Sequence, residues 1–168
     1  MCHQFAARSG LPPKALVQAL RESYTVYKHD IKNDVEKQRR DRLDPFAVRQ
    51  ETVEGALRRL DIEDRALATE MVRAYEALRE EHRQLVSRAL ETLQRLRELG
   101  IHLALLTNGN AMYQRRKIRQ HQLAPYFDCI LIEEEFGAAK PGQLVYLHAL
   151  DQLQVSAQEA WMVGMISH

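Results

Sequence analysis

The first half of the chain repeats apolar positions at the three- and four-residue spacing of amphipathic helices. One helix is predicted after Gly10-Leu11-Pro12-Pro13, because proline suits the first turn of a helix and not its middle. Its apolar stripe consists of Leu16, Ala19, Leu20, Tyr24 and Tyr27. Two further helices are predicted, one opened by Asp44-Pro45 and one beginning near Asp64. Residues 1–84 are therefore predicted to form an all-helical module.

The stretch HDIKNDVEKQRRDRLDP, residues 29–45, has no apolar stripe and reads as a charged connection between two helices. Its basic run at residues 37–42 is also compatible with binding to RNA. Acidic residues interrupt that run, which favours a solvated loop, so we predict no nucleic-acid partner.

The second half alternates helical and strand-like patterns. In chain order, the pattern predicts a helix over 85–99 stopped by Gly100, a strand over 101–106, a helix over 111–122, a strand over 129–132, a helix over 143–153 and a last strand at 160–164. Such alternation implies right-handed crossovers and a parallel sheet. The predicted fold class is α/β, with residues 85–168 forming the α/β module beside the helical one.

Composition adds few constraints. The formal net charge of +1 comes from balanced acids and bases, so it provides no general attraction to nucleic acid or to an anionic membrane. No apolar run approaches the length of a membrane span, and no membrane partner is predicted. Cys129 lies in the apolar run FDCILI, where a buried reduced thiol is expected, which favours a cytoplasmic location.

Candidate chemistry lies where the predicted strands end. Thr107, Asn108 and Gly109 follow an apolar strand and precede a helix, the position at which parallel sheets bind ligands. A hydroxyl and exposed backbone N–H groups there can hold an anionic oxygen, while an Asn-Gly pair also occurs as a simple tight turn. Lys140 precedes Pro141-Gly142 at the start of the next helix. Its ammonium either balances the charge of a bound phosphate or is that of a solvated loop lysine.

Three segments in order, LALLTNG at 103–109, FGAAKPG at 136–142 and WMVG at 161–164, resemble the haloacid dehalogenase-like superfamily of hydrolases, most closely its helical-capped phosphatases. The resemblance implies a Rossmann-like core in residues 85–168 and a helical cap in residues 1–84. It also implies that Thr107 hydrogen-bonds the transferring phosphoryl group, that the backbone at Asn108 and Gly109 assists, and that Lys140 neutralises charge.

Other residues implied by this resemblance are absent. The family's nucleophile belongs to an Asp-x-Asp-Gly motif after the first core strand, and no such motif occurs here. Met165 stands where a metal-binding acid is expected, so Mg²⁺ is expected for a complete family member but no metal ligand is predicted in this chain. We therefore expect a chain truncated at both ends, inactive alone, whose core lacks its first strand and needs a partner or missing segment to complete its sheet.

Several functions are compatible with these residues. The leading expectation is a phosphatase of small phosphorylated metabolites that forms a phospho-aspartyl intermediate in the complete protein. The alternatives are a dehalogenase of the same superfamily, a non-catalytic relative that binds a ligand or a protein, and a helical adaptor that binds RNA through Arg39 and Arg40. The consecutive glutamates Glu133, Glu134 and Glu135 are expected to be surface charge, and Trp161 is expected in the core.

Overall fold

The computed structural model describes residues 5–6 and 10–164. Backbone contacts divide the chain into two compact units, Met1–Gln84 and Leu85–His168. The first unit is helical over its described residues, and the second combines helices with a parallel pair of strands.

The first unit contains four helices between residues 13 and 81: α1 (Pro13–Ile31), α2 (Val35–Leu43), α3 (Pro45–Arg58) and α4 (Arg65–Glu81). Two of the predicted starts are confirmed by capping hydrogen bonds. The Asp44 carboxylate accepts from the Ala47 N–H at 3.1 Å, and the Asp64 carboxylate accepts from the Leu67 N–H at 2.8 Å. Such bonds satisfy donors that have no partner inside the helix.

Helix α2 corrects the prediction of a charged connection, because most of that connection is helical. The Asp34 carboxylate accepts from the Lys37 N–H at 2.9 Å and starts the helix. No residue of α2 is buried, so it has no apolar stripe for a periodicity argument to find. Arg40 instead pairs with Glu51 of α3, which leaves this guanidinium less free for RNA.

The core of the first unit lies where α1, α3 and α4 meet. Its members, all under 9% exposed, are Phe5, Ala6, Leu16, Leu57, Leu67, Ala68 and Met71. Helices α1 and α3 approach closely at Gly55, where an added Cβ would lie 2.9 Å from the Ser23 hydroxyl oxygen. Glycine therefore permits this helix contact.

The second unit contains, in order, α5 (Ala89–Glu98), β1 (Ala104–Thr107), α6 (Ala111–Gln120), β2 (Cys129–Ile132), α7 (Glu133–Phe136) and α8 (Gln143–Leu153). The two strands are parallel, with Ala104 opposite Cys129 and Thr107 opposite Ile132. Buried residues of β2 and α8 form its apolar cluster, which includes the reduced Cys129 at 8% exposure. Burial raises the pKa of this thiol, as expected for a thiol packed as a small apolar group.

Helix α5 is shorter than the predicted 85–99. It starts at Ala89, after Arg88 in the left-handed conformation at φ 64°, and Val86 is 83% exposed. The predicted stop is confirmed, since Gly100 has φ 74°. The prediction was longer because the apolar spacing continues across residues 85–88, but the backbone of these residues is not helical.

Asp128 joins the starts of the two strands. Its carboxylate accepts from the Arg97 guanidinium at 2.6 Å and from the Leu103 N–H at 2.9 Å, and its own N–H donates to the Leu103 carbonyl at 2.8 Å. The Arg97 bond, followed by the Leu103 N–H, lowers the pKa of Asp128. The network fixes the register that brings Thr107 and Ile132 to the same edge.

The last predicted strand is wrong. Residues 160–164 form no strand, and Trp161 is 93% exposed instead of lying in the core. An apolar run becomes a strand only when a neighbour accepts its hydrogen bonds, and none pairs with it among the described residues. The α/β fold class is confirmed by the parallel pair and its flanking helices. Over the described ranges, no helix is both long and apolar enough to cross a membrane.

Candidate active site

Thr107 is the last residue of β1 and lies at the carboxyl edge of the sheet. Its side chain is half-buried, and within the described part of the chain its hydroxyl makes only a long 3.5 Å contact with the Asn108 carbonyl. A hydroxyl held this weakly can turn to donate to another acceptor.

Asn108 connects this strand end to the segment that carries Lys140. Its side-chain amide donates to the Lys140 carbonyl at 2.8 Å, and its side-chain oxygen accepts from the Lys140 N–H at 2.8 Å. The Asn108 carbonyl also accepts from the Gln114 side chain of α6 at 2.9 Å. Three hydrogen bonds thus fix Asn108 to two other segments of the unit.

Lys140 stands in a turn before α8, where the Gly142 N–H donates to the Ala139 carbonyl at 2.8 Å. The Lys140–Pro141 peptide bond is cis. The half-buried Lys140 side chain makes no ion pair or hydrogen bond with the part of the chain that the structure describes. Its backbone is therefore fixed by Asn108 while its ammonium has no internal counter-charge there.

Gly109 turns the chain at φ 113°, a conformation that a side chain would strain. The glycine is buried, and its N–H donates to the Glu133 carboxylate at 2.8 Å. Glu133 is 6% exposed, so the expectation of surface charge is wrong for this residue.

The neighbouring glutamates have separate partners. Glu134 accepts from the Ala111 N–H at 2.6 Å and from the Asn110 side chain at 3.2 Å. Glu135 pairs with Arg115 at 2.9 and 2.6 Å, and this bond lowers the pKa of Glu135. The three carboxylates therefore connect α7 to the turn and to α6.

The strand register explains why Glu133 was missed and how it becomes part of the site. Thr107 lies opposite Ile132, so the residues that follow each strand emerge at the same edge. The sequence does contain a signal, since Glu133 directly follows the apolar run at 129–132. Three consecutive glutamates, however, look alike until the pairing of the strands is known.

Among the predicted site residues, Thr107, Asn108 and Gly109 are consecutive, and Asn108 joins them to Lys140. Met165 lies outside the described residues. Within residues 5–6 and 10–164, no group of three or more histidine, cysteine, aspartate or glutamate side chains could hold a metal ion. Mg²⁺ requires several oxygen ligands, and the described residues near the turn do not provide such a set, since its carboxylates, Glu133 and Glu134, are engaged with backbone N–H groups.

A parallel sheet with polar residues at its carboxyl edge places the chain in the class of α/β proteins whose ligands bind at strand ends. The model for the family described as haloacid dehalogenase-like hydrolase matches residues 6–164. The chain belongs to this family, which confirms the resemblance seen in its three segments.

Several similar proteins are phosphatases by name. A glyceraldehyde 3-phosphate phosphatase of Pyrococcus abyssi is 40% identical over 45% of this chain and 32% of its own length. A ribulose-1,5-bisphosphate 5-phosphatase of Halopiger xanaduensis is 38% identical over 50% of this chain and 35% of its own. An N-acylneuraminate-9-phosphatase of Mus musculus is 35% identical over 68% and 44%. The chain thus spans less than half the length of these relatives.

Proposed function

We propose that this chain carries the phosphoryl-binding part of a phosphatase site, and that the protein acts on a small phosphorylated metabolite. The observation that carries the proposal is the pair of hydrogen bonds between Asn108 and the Lys140 backbone. These bonds hold a lysine beside the strand end that carries Thr107. A hydroxyl donor and a cation on one fixed frame suit an oxyanion.

Each residue has a distinct part in the proposed site. The Thr107 hydroxyl donates to one phosphoryl oxygen, and the Lys140 ammonium balances the negative charge of the phosphate monoester. Asn108 fixes the backbone of Lys140 beside the strand end, so that only the two side chains remain to be ordered on binding. Phosphatase names among the relatives support phosphate as the ligand group.

Turnover needs a nucleophile in addition to these groups. The family resemblance implies an aspartate that forms a phospho-aspartyl intermediate, but the sequence contains no Asp-x-Asp pair. We therefore propose that these residues by themselves bind phosphate without hydrolysing it. The second candidate is a non-catalytic module that binds a phosphorylated ligand, and it is favoured by the same absence of an Asp-x-Asp pair. The helical unit is proposed to act as the cap in either case.

The test is a titration of the chain with inorganic phosphate, followed by amide resonances. Phosphate is expected to shift the resonances of Thr107 and Lys140. Replacing the ammonium in Lys140→Ala should weaken binding about tenfold or more, because it removes a charged partner. The matched control is Lys14→Ala, which removes an exposed lysine of the helical unit and should leave binding unchanged.

Equal phosphate affinity in Lys140→Ala and the unaltered chain would contradict the proposed site. A separate assay with an aryl phosphate and magnesium tests whether the chain by itself hydrolyses a phosphate ester. Hydrolysis by the chain alone would overturn the proposal that it only binds, and the absence of hydrolysis together with phosphate binding would support it.

A further inference from the structure

The turn after β1 offers few free backbone donors. Helix N-termini attract anions because their first N–H groups have no partner inside the helix. Here the Gly109 N–H donates to Glu133 at 2.8 Å, and the Ala111 N–H donates to Glu134 at 2.6 Å. Carboxylates of the chain itself therefore occupy donors that a phosphate would otherwise use.

Glu133 differs from its neighbours in burial. It is 6% exposed, whereas Glu135 forms a more exposed ion pair with Arg115. A buried carboxylate is unfavourable unless hydrogen-bond donors compensate for its lost hydration, and the Gly109 N–H is one such donor. Because Gly109 is buried as well, this hydrogen bond is shielded from solvent.

Repulsion between like charges limits what the turn can bind. A phosphoryl group that reached the Gly109 N–H would have to displace the Glu133 carboxylate or lie against it. Thr107 and Lys140 have no such competitor among the described residues, since the Thr107 hydroxyl makes only its 3.5 Å contact.

We propose that Glu133 is a positioning residue of the phosphate site. Its carboxylate fixes Gly109 and occupies that N–H, so that a phosphoryl group is contacted by the Thr107 hydroxyl and the Lys140 ammonium and not by the Gly109 N–H. The proposal rests on the proposed phosphate site. It removes the Gly109 N–H from the groups that contact phosphate and assigns Gly109 a role in the shape of the turn.

The first test needs no ligand and measures hydrogen exchange at the Gly109 amide in the whole chain. Exchange should rise about tenfold or more in Glu133→Ala, because the hydrogen bond is lost. Glu133→Gln keeps an oxygen acceptor and should stay within a few-fold of the unaltered chain. The matched control Glu135→Gln alters the neighbouring ion pair and should leave Gly109 unchanged.

Unchanged exchange at Gly109 in Glu133→Ala would overturn the positioning role. Should that variant fail to fold, Glu133→Asp provides the same test, because it keeps the charge but shortens the side chain. Exchange at Gly109 should then increase, and an unchanged rate would overturn the proposal.

The second test adds inorganic phosphate and compares affinities. Glu133→Gln removes the repulsion but keeps the acceptor, so its phosphate affinity should equal or exceed that of the unaltered chain. Glu133→Ala frees the Gly109 N–H but no longer holds the turn in place, and this loss should make it bind phosphate about tenfold more weakly than Glu133→Gln. Equal affinity in these two variants would contradict positioning.

The Gly109 resonance decides which donors meet the ligand. It should shift less on phosphate addition than the resonances of Thr107 and Lys140, and a shift larger than both would overturn the proposal. If no resonance of the unaltered chain responds to phosphate, the proposed site itself is wrong. The exchange measurement without ligand still decides whether Glu133 positions Gly109.

Discussion

Asn108 and Lys140 are joined by two hydrogen bonds of 2.8 Å that cross 32 positions of sequence. The Asn108 side chain uses both its donor and its acceptor on the backbone of Lys140, which no other residue type of that length can do. This pairing connects the end of β1 to the turn before α8 and brings together two of the three sequence segments that resemble the family.

The first prediction concerns this pairing. Asn108→Ala removes both hydrogen bonds. Asn108→Asp keeps an acceptor for the Lys140 N–H but places a carboxylate oxygen against the Lys140 carbonyl, so that one bond is lost. Hydrogen exchange at the Lys140 amide should rise about tenfold in Asn108→Ala. Gln94→Ala, which removes an exposed amide from α5, is the control and should leave Lys140 unchanged. Equal protection in Asn108→Ala would show that the pairing does not order this turn.

The second prediction concerns Asp128 and pH. The pKa of Asp128 is lowered first by Arg97 and then by the Leu103 N–H, so the folded state favours the ionised carboxylate. Its stabilising contribution is complete above the unfolded pKa of about 3.9 and is lost as the pH falls through the lower folded value. Because solvent screens this exposed carboxylate, Asp128→Asn should cost about 0.5–1 kcal/mol near pH 7 and progressively less below about pH 4.

Denaturant unfolding at a series of pH values measures this difference. The control Asp151→Asn removes an exposed carboxylate of α8 and should change the free energy of unfolding by under about 0.5 kcal/mol at pH 7. A difference between Asp128→Asn and the unaltered chain that stays constant at low pH would contradict the assignment.

The third prediction concerns the contact between α1 and α3. In Gly55→Ala the new Cβ would lie 2.9 Å from the Ser23 hydroxyl oxygen. Overpacking costs about 1–3 kcal/mol, which outweighs the gain of about 1 kcal/mol in helix propensity. Gly55→Ala should therefore destabilise the unaltered chain but be neutral or stabilising in a Ser23→Ala background. Additive free energies of unfolding in this double-mutant cycle would contradict the close approach.

The fourth prediction concerns Trp161, the single tryptophan of the chain. Because the indole is 93% exposed, collisional quenching of its fluorescence by acrylamide should be nearly as efficient in the folded chain as in urea. A water-exposed reference indole measured in parallel defines the upper limit. Strong protection of the folded chain would show that another segment or a second copy covers Trp161.

The sequence predicted elements whose signals are local. The starts at Asp44 and Asp64 were recognisable because a capping carboxylate and the N–H it accepts from lie three residues apart. The strand at 129–132 and the helix at 143–153 were predicted with the observed bounds, since their apolar patterns are uninterrupted. The Thr107–Gly109 turn and Lys140 were identified as candidate site residues from their positions at the ends of predicted strands.

Two predictions failed for different physical reasons. Helix α2 is held by an N-cap and ion pairs, which a search for apolar periodicity does not detect. The apolar run at Trp161 reads as a strand, but strand formation and burial depend on a neighbour that the run itself does not specify.

The sequence by itself therefore determined the α/β class, most helix and strand positions and the candidate residues for contact with phosphate. Only the tertiary structure decided which of three consecutive glutamates is buried, because that choice depends on the pairing of Thr107 with Ile132. It also decided that Asn108 meets the backbone of Lys140, since a hydrogen bond between distant segments forms only when the fold brings both partners to one edge.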